Sequence, residues 1–196
     1  MKLILGSLLT ILIISIGFTA CGSESKAHAR SIYMLLDTSK KTLTALAKIR
    51  ETFTHIINDL SPGDSLAINT SKELFTIDFS KDASKAYTQK RDFRRHVINY
   101  LKSIKPQLKD TFLPSIANAK AFLEKKMALK KSIIYVNTPN SIPVHTDDLE
   151  GYTISMYDLK DSQKDFSTLK TEIETANGSF IVASNINDLN QVLSCK

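Results

Sequence analysis

Cysteine is scarce in this chain: there are two, Cys21 and Cys195, near opposite ends of 196 residues. Two thiols cannot frame a disulfide-stapled scaffold, and they lack the spacing of a zinc centre. Also missing are the phosphate loops GxGxxG and GxxxxGK[ST], the HExxH metal motif and the GxSxG nucleophile elbow. Their absence weighs against nucleotide-binding, zinc-hydrolase and serine-hydrolase chemistry. The histidines His28, His55, His96 and His145 are scattered, and His145 with Asp147 and Asp148 reads as a solvated loop. No nucleophile stands beside a base, so the chain is expected not to be an enzyme. There is no internal repeat and no low-complexity tract.

Long apolar runs are equally rare. The single example, Leu3 to Phe18, has about 16 residues, short of the roughly 20 that a spanning helix needs. Met1-Lys2 precedes it, and Thr19-Ala20-Cys21-Gly22 follows. A basic start, an apolar stretch and a small residue before a cut describe an export signal. Phe18-Thr19-Ala20-Cys21 resembles the lipobox of bacterial lipoproteins. The resemblance implies cleavage before Cys21, acylation of that residue and a membrane anchor of several chains. Gly22 is not the Asp of an inner-membrane retention signal, so outer-membrane sorting is expected in a Gram-negative host. Residues 1–20 then form a signal peptide and 21–30 a polar tether. With Cys21 acylated, Cys195 is read as an incidental thiol at the end of the last helix.

What remains, residues 31–196, is expected to be one domain with room for a core. The chain has 26 cations and 20 acids, and residues 1–20 contain one of those cations and no acid. The moderate excess fits an anionic membrane surface or an acidic protein. Much of it clusters at Lys90, Arg91, Arg94, Arg95 and Lys102, with further pairs at Lys125-Lys126 and Lys130-Lys131. Few aromatics interleave with these positions, and the chain carries an export signal. Nucleic acid is therefore not expected as a partner. The preferred reading is a solvated face, followed by contact with anionic lipid near the anchor.

Strands and helices alternate. Ser31–Leu36 is a continuous apolar run that predicts a strand buried on both faces. Helical spacing predicts a helix over Lys40–Leu60, and Ser61-Pro62-Gly63-Asp64 a turn. Ser65–Thr70 and Glu73–Phe79 read as a hairpin. Helices follow over Asp82–Ile104 and Thr111–Leu129, then a strand over Lys131–Val136 and another over Gly151–Asp158. A helix over Gln163–Ala176 closes at Asn177-Gly178, before a strand at Ser179–Ala183. Asn185 or Asn187 caps a final helix to Leu193. The fold class is α/β: a doubly wound, mostly parallel sheet with one antiparallel edge strand and helices on both faces.

This order, with IYMLLDTS, LSPGDSLAINTS, FLPSIANAKAFLEK, KKSIIYVNT and NGSFIVASNINDLNQVL in sequence, resembles the von Willebrand factor A (vWA) domain over Ile32 to Leu193. The resemblance implies a metal-ion-dependent adhesion site where the parallel strands end. There, Asp-x-Ser-x-Ser, a Thr and a further Asp hold Mg²⁺, and a partner's carboxylate completes the shell. Asp37, Ser39 and Thr111 match three positions. Lys41 replaces the second Ser, and Asn137 or Thr138 stands where the second acid would be. The site is thus degenerate, with possible Mg²⁺ ligands Asp37, Ser39 and Thr111 and a rim of Lys41, Asn137 and Thr138. The Lys41 ammonium beside Asp37 would oppose a divalent cation. A local reading also stands, in which Asp37 and Thr111 merely cap helices. The expected function is protein binding within an envelope-associated assembly. The alternatives are a Mg²⁺-dependent adhesin for an acidic ligand residue, and an accessory or regulatory lipoprotein of a catalytic partner.

Overall fold

The computed structural model describes residues 29–36, 45–70, 72–104, 116–136, 148–157 and 165–193. Six strands form one sheet: β1 (Arg30–Leu36), β2 (Ser65–Thr70), β3 (Leu74–Asp78), β4 (Lys130–Val136), β5 (Tyr152–Tyr157) and β6 (Ser179–Ala183). Their order is β3-β2-β1-β4-β5-β6. All neighbours are parallel except β2 and β3, which form the antiparallel hairpin at one edge. Among the described residues, five helices cover the sheet: α1 (Leu46–Asp59), α2 (Ala83–Ser103), α3 (Ile116–Leu123), α4 (Ser167–Thr175) and α5 (Ile186–Leu193).

The continuous apolar run of β1 is explained by burial on both sides. Ile32, Met34 and Leu36 face a core with Ile49, Phe53, Ile56 and Ile57 of α1, Val97 and Leu101 of α2, and Leu189 and Val192 of α5. Tyr33 and Leu35 face the opposite core, with Ile116, Ala119 and Leu123 of α3 and Leu169 and Ile173 of α4. The result is a three-layer sandwich. Ile56 and Ile57 are fully enclosed, and burying each such side chain contributes about 2–3 kcal/mol.

Helix ends follow local chemistry. Asp82 caps α2 by accepting from the Lys85 N–H at 2.9 Å. Asn185, not Asn187, caps α5: its Oδ1 accepts from the Asp188 N–H at 3.1 Å, and Asp188 Oδ2 accepts in return from Asn185 N–H at 3.2 Å. After α4, Asn177 takes a positive φ of 64°. The Gly178 N–H then donates to Ile173 O and the Asn177 N–H to Glu174 O, the paired bonds of a Schellman turn. Gly178 is required there, because a Cβ would sit 2.9 Å from both Ile173 Cγ2 and Leu149 Cβ.

Two predicted helices are shorter than expected. The helix predicted to reach Leu129 ends at Leu123. Lys125 and Lys126 N–H groups turn back to Phe122 and Leu123 carbonyls, tightening the last turn. The Lys126 ammonium meanwhile leaves the helix path for Asp78, at 2.6 Å. The helix predicted from Gln163 begins at Ser167, where Asp165 Oδ1 accepts from the Ser167 N–H at 2.9 Å. The predicted starts of α1 at Lys40 and of α3 at Thr111 lie outside the described residues.

Candidate functional site

In an open α/β sheet, ligands bind where the strand order reverses, beyond the carboxyl ends of the strands. Here the reversal lies between β1 and β4, because the chain winds outward from β1 to β2 and β3 on one side and from β4 to β5 and β6 on the other. The two strands end in register: Leu36 pairs with Val136, and Leu36 also pairs with Thr70 of β2. Leu36, Val136 and Thr70 are all buried at these strand ends. The side chain of Thr70 pins the β2–β3 turn. Its hydroxyl donates to Glu73 O and accepts from Glu73 N–H, both at 2.9 Å.

The anticipated site residues follow these strand ends in the sequence: Asp37 directly after β1, and Asn137 and Thr138 directly after β4. Asp37, Ser39, Lys41, Thr111, Asn137 and Thr138 lie outside the described residues, as do Cys21, His28, His145 and Cys195. Their donor chemistry can still be weighed. One carboxylate, two hydroxyls and an ammonium do not suit a tight Mg²⁺ site, for which hard anionic oxygens are wanted. Among the described residues, no group of three or more His, Cys, Asp or Glu is placed to hold a metal. His55 contacts Asn190 Oδ1 at 2.6 Å, and His96 stacks edgewise on Phe75.

Two tyrosines lie under the α3 face of the sheet. Tyr33 OH accepts from Asn69 Nδ2 at 2.9 Å. Tyr135 OH is fully buried and has no hydrogen-bond partner among the described residues. Burial pushes both phenols above their ordinary pKa, so both are neutral at any physiological pH.

The opposite end of the sheet, where β1 begins, is closed by a polar cluster that sequence reasoning missed. Arg30 donates from its backbone N–H and its Nε to the two oxygens of Asp64, at 2.8 and 2.9 Å. Its guanidinium also reaches Asp59 Oδ2 at 2.8 Å, Asp59 O at 2.7 Å and Leu193 O at 2.7 Å. Burial disfavours the guanidinium's charge, yet Asp64 and Asp59 more than offset this, and its pKa stands above the ordinary value. Asp64 also accepts from Ser61 N–H at 2.7 Å and so shapes the SPGD turn. Lys90 of α2 reaches the same corner, bonding the carbonyls of Asn58 and Leu60 at the end of α1. The visible signal was modest: an arginine at a strand start and an aspartate closing a turn.

Two surface hollows complete the description. A groove of about 610 Å³ runs between α1, α2 and α5, bordered by Arg50, Glu51, His55, Ile98 and Ile186. A smaller hollow of about 240 Å³ lies beside β6, against Phe166, Lys170, Phe180 and Val182.

No protein-family profile and no curated protein sequence matches this chain. Solved structures do match its fold. A von Willebrand factor type A protein from Catenulispora acidiphila superposes with a TM-score of 0.50 at 10% identity, covering 85% of this chain and 41% of that one. A mutant of the PilB minor pilin from Streptococcus sanguinis gives 0.46 at 10% identity, covering 88% and 61%. A type V pili tip protein from Porphyromonas gingivalis gives 0.36 at 14% identity, covering 63% and 23%. The chain spans less than two-thirds of each of these neighbours. The first likeness establishes a vWA-like fold: a mostly parallel six-stranded sheet with an antiparallel edge strand, between two helical layers.

Proposed function

We propose that this chain is a lipid-anchored envelope protein that binds a protein partner through the crevice above β1 and β4. It acts as a binding module within an envelope-associated assembly, and it is not an enzyme. The anchor is Cys21, acylated after removal of residues 1–20, and the membrane is the outer one in a Gram-negative host. The observation that supports the binding reading most is the in-register ending of β1 and β4 at the reversal of strand order. Those two strands lead directly into Asp37 and Asn137. The donor set argues for recognition by hydrogen bonds and charge, with Lys41 taking the positive role that Mg²⁺ plays in an intact adhesion site.

The test is photo-crosslinking from Thr138 in the cell that makes the protein. A discrete protein adduct, lost in Asp37→Ala and kept when divalent cations are chelated, is the expected result. An adduct lost on chelation would move the reading to a Mg²⁺-dependent adhesin. An adduct unaffected by Asp37→Ala would remove Asp37 from the account, and no adduct would remove the crevice.

A further inference from the structure

Helix α2 carries six cations, Lys85, Lys90, Arg91, Arg94, Arg95 and Lys102, and one acid, Asp92. The whole chain has a net charge of +6, so this one helix holds most of the excess. Its inward side is apolar: Ala86, Val97 and Leu101 are buried. Lys90 lies at the border and turns inward to the end of α1. The remaining cations do not serve the fold in this way. Asp92 is shared by Arg91 at 3.3 Å and Arg95 at 2.8 Å, and all three side chains are exposed, Arg91 at 56%, Arg95 at 67% and Asp92 at 46%. No ion pair joins Arg94 or Lys102 to another described residue.

These residues form a stripe. Tyr87, Arg91, Arg95 and Lys102, all exposed, recur at spacings of four, four and seven, which on a helix is one continuous line. Half-buried Arg94 and Ile98 border it on the inner side, where Ile98 lines the groove toward α1 and α5. Tyr87 is 71% exposed, far more than an aromatic needs to be on a plain solvated face. Arginines, a lysine and an exposed tyrosine on one line suit a bilayer interface. Cations meet lipid phosphates there, and the amphipathic ring sits at headgroup depth.

The stripe's place in the fold adds a second argument. Lys90 and Arg30 both bond the last turn of α1: Lys90 the Asn58 carbonyl, Arg30 the Asp59 carbonyl. The N-terminal half of α2 therefore lies beside the point where the tether enters the domain. Cys21 precedes Arg30 by nine residues, and nine extended steps reach at most about 30 Å. That is also about the length of a helix of 21 residues. An anchor at Cys21 thus keeps α2 within reach of the bilayer.

We propose that the exposed stripe of α2, Tyr87–Arg91–Arg95–Lys102, docks on an anionic lipid surface and fixes the orientation of the domain on its membrane. The orientation rests on the Cys21 anchor, whereas the docking itself does not. With α2 on the lipid, the anchor adds effective concentration, so modest contacts suffice.

The test is partition of the full chain between buffer and vesicles of phosphatidylcholine, alone or with a third of phosphatidylglycerol. An environment-sensitive dye is placed at Tyr87→Cys in a Cys195→Ser background. Binding should strengthen on the anionic vesicles, with a dye response, and this gain should vanish at about 0.5 M salt, where the Debye length falls below about 5 Å. The triple variant Arg91→Gln, Arg95→Gln, Lys102→Gln should lose the gain by roughly a hundredfold while its circular dichroism melt stays unchanged. Equal partition on both vesicle types, or a triple variant that keeps the gain, overturns the proposal. So does a soluble acidic polypeptide that binds the stripe while anionic vesicles do not. Salt-resistant retention on neutral vesicles reads the anchor separately. If that alone is missing, the anchor reading falls and the docking reading stands.

Discussion

Two corners of the molecule, next to each other in space, use positive charge in opposite ways. Under β1, one arginine is surrounded by acceptors: both oxygens of Asp64, one of Asp59 and two backbone carbonyls. Its side chain is 11% exposed and that of Asp64 2%. On the exposed line of α2, two arginines share one acid and Lys102 has no acid among the described residues. The first arrangement uses its donors to join β1, the SPGD turn, α1 and α5. The second leaves its donors facing outward. A saturated cation holds a fold together, and an unsaturated row of them offers a surface to something negative.

The largest expected effect breaks the saturated side of this contrast. Arg30→Met leaves Asp64 buried without its cation and should cost about 3–5 kcal/mol in urea unfolding. A loss under about 1 kcal/mol would mean the cluster is ornamental. The same urea measurement on the α2 triple variant should move stability by less than about 0.5 kcal/mol, because exposed pairs of this kind contribute little. A larger loss would make the stripe structural and erase the contrast.

A third test concerns buried hydroxyls on the α3 side of the sheet. Tyr135→Phe removes a hydroxyl without a partner and should leave stability unchanged or raise it by up to about 1 kcal/mol. Tyr33→Phe removes the acceptor of Asn69 and should lower stability by about 1 kcal/mol. Equal outcomes would show that the two phenols are equivalent in solution.

The smallest effect lies at an exposed ion pair. Hydrogen bonds from Lys126 and then Ser65 hold the Asp78 carboxyl below its ordinary pKa. A depressed carboxylate stabilises the fold above its unfolded-state pKa, and that contribution fades as pH falls through the folded value. Asp78 is 66% exposed at its side chain, so solvent screening limits the gain to a few tenths of a kcal/mol. Lys126→Met should flatten that part of the acid limb of a stability–pH curve and leave the neutral region within error.

Much of the fold was readable because its signals are local. β1 and β4 announce themselves as unbroken apolar runs, the SPGD turn by Pro and Gly, and the end of α4 by Asn177-Gly178. The misreadings have local causes of another kind. α3 ends at Leu123 in a tightened turn, and Lys126 beyond it pairs with Asp78, a residue 48 positions away, which no periodicity in the helix reveals. The Arg30 cluster joins residues 29, 34 and 163 positions apart, so it exists only once the sheet is assembled. The crevice was legible in its frame only through the resemblance to the vWA domain, because alternation of elements predicts a parallel sheet but not its strand order. Its side chains, Asp37, Ser39, Lys41, Thr111, Asn137 and Thr138, stand on segments outside the described residues, and their roles rest on chemistry alone.

A third cation, Lys41, joins the comparison as the proposed substitute for a metal. Calorimetric titration of Mg²⁺ and Mn²⁺ into the chain, with Asp37→Ala alongside, tests this directly. The account predicts no saturable heat from the wild type at millimolar metal. Saturable binding that disappears in Asp37→Ala would contradict it, because the crevice would then recognise its partner through a divalent ion and not through the protein's own charge.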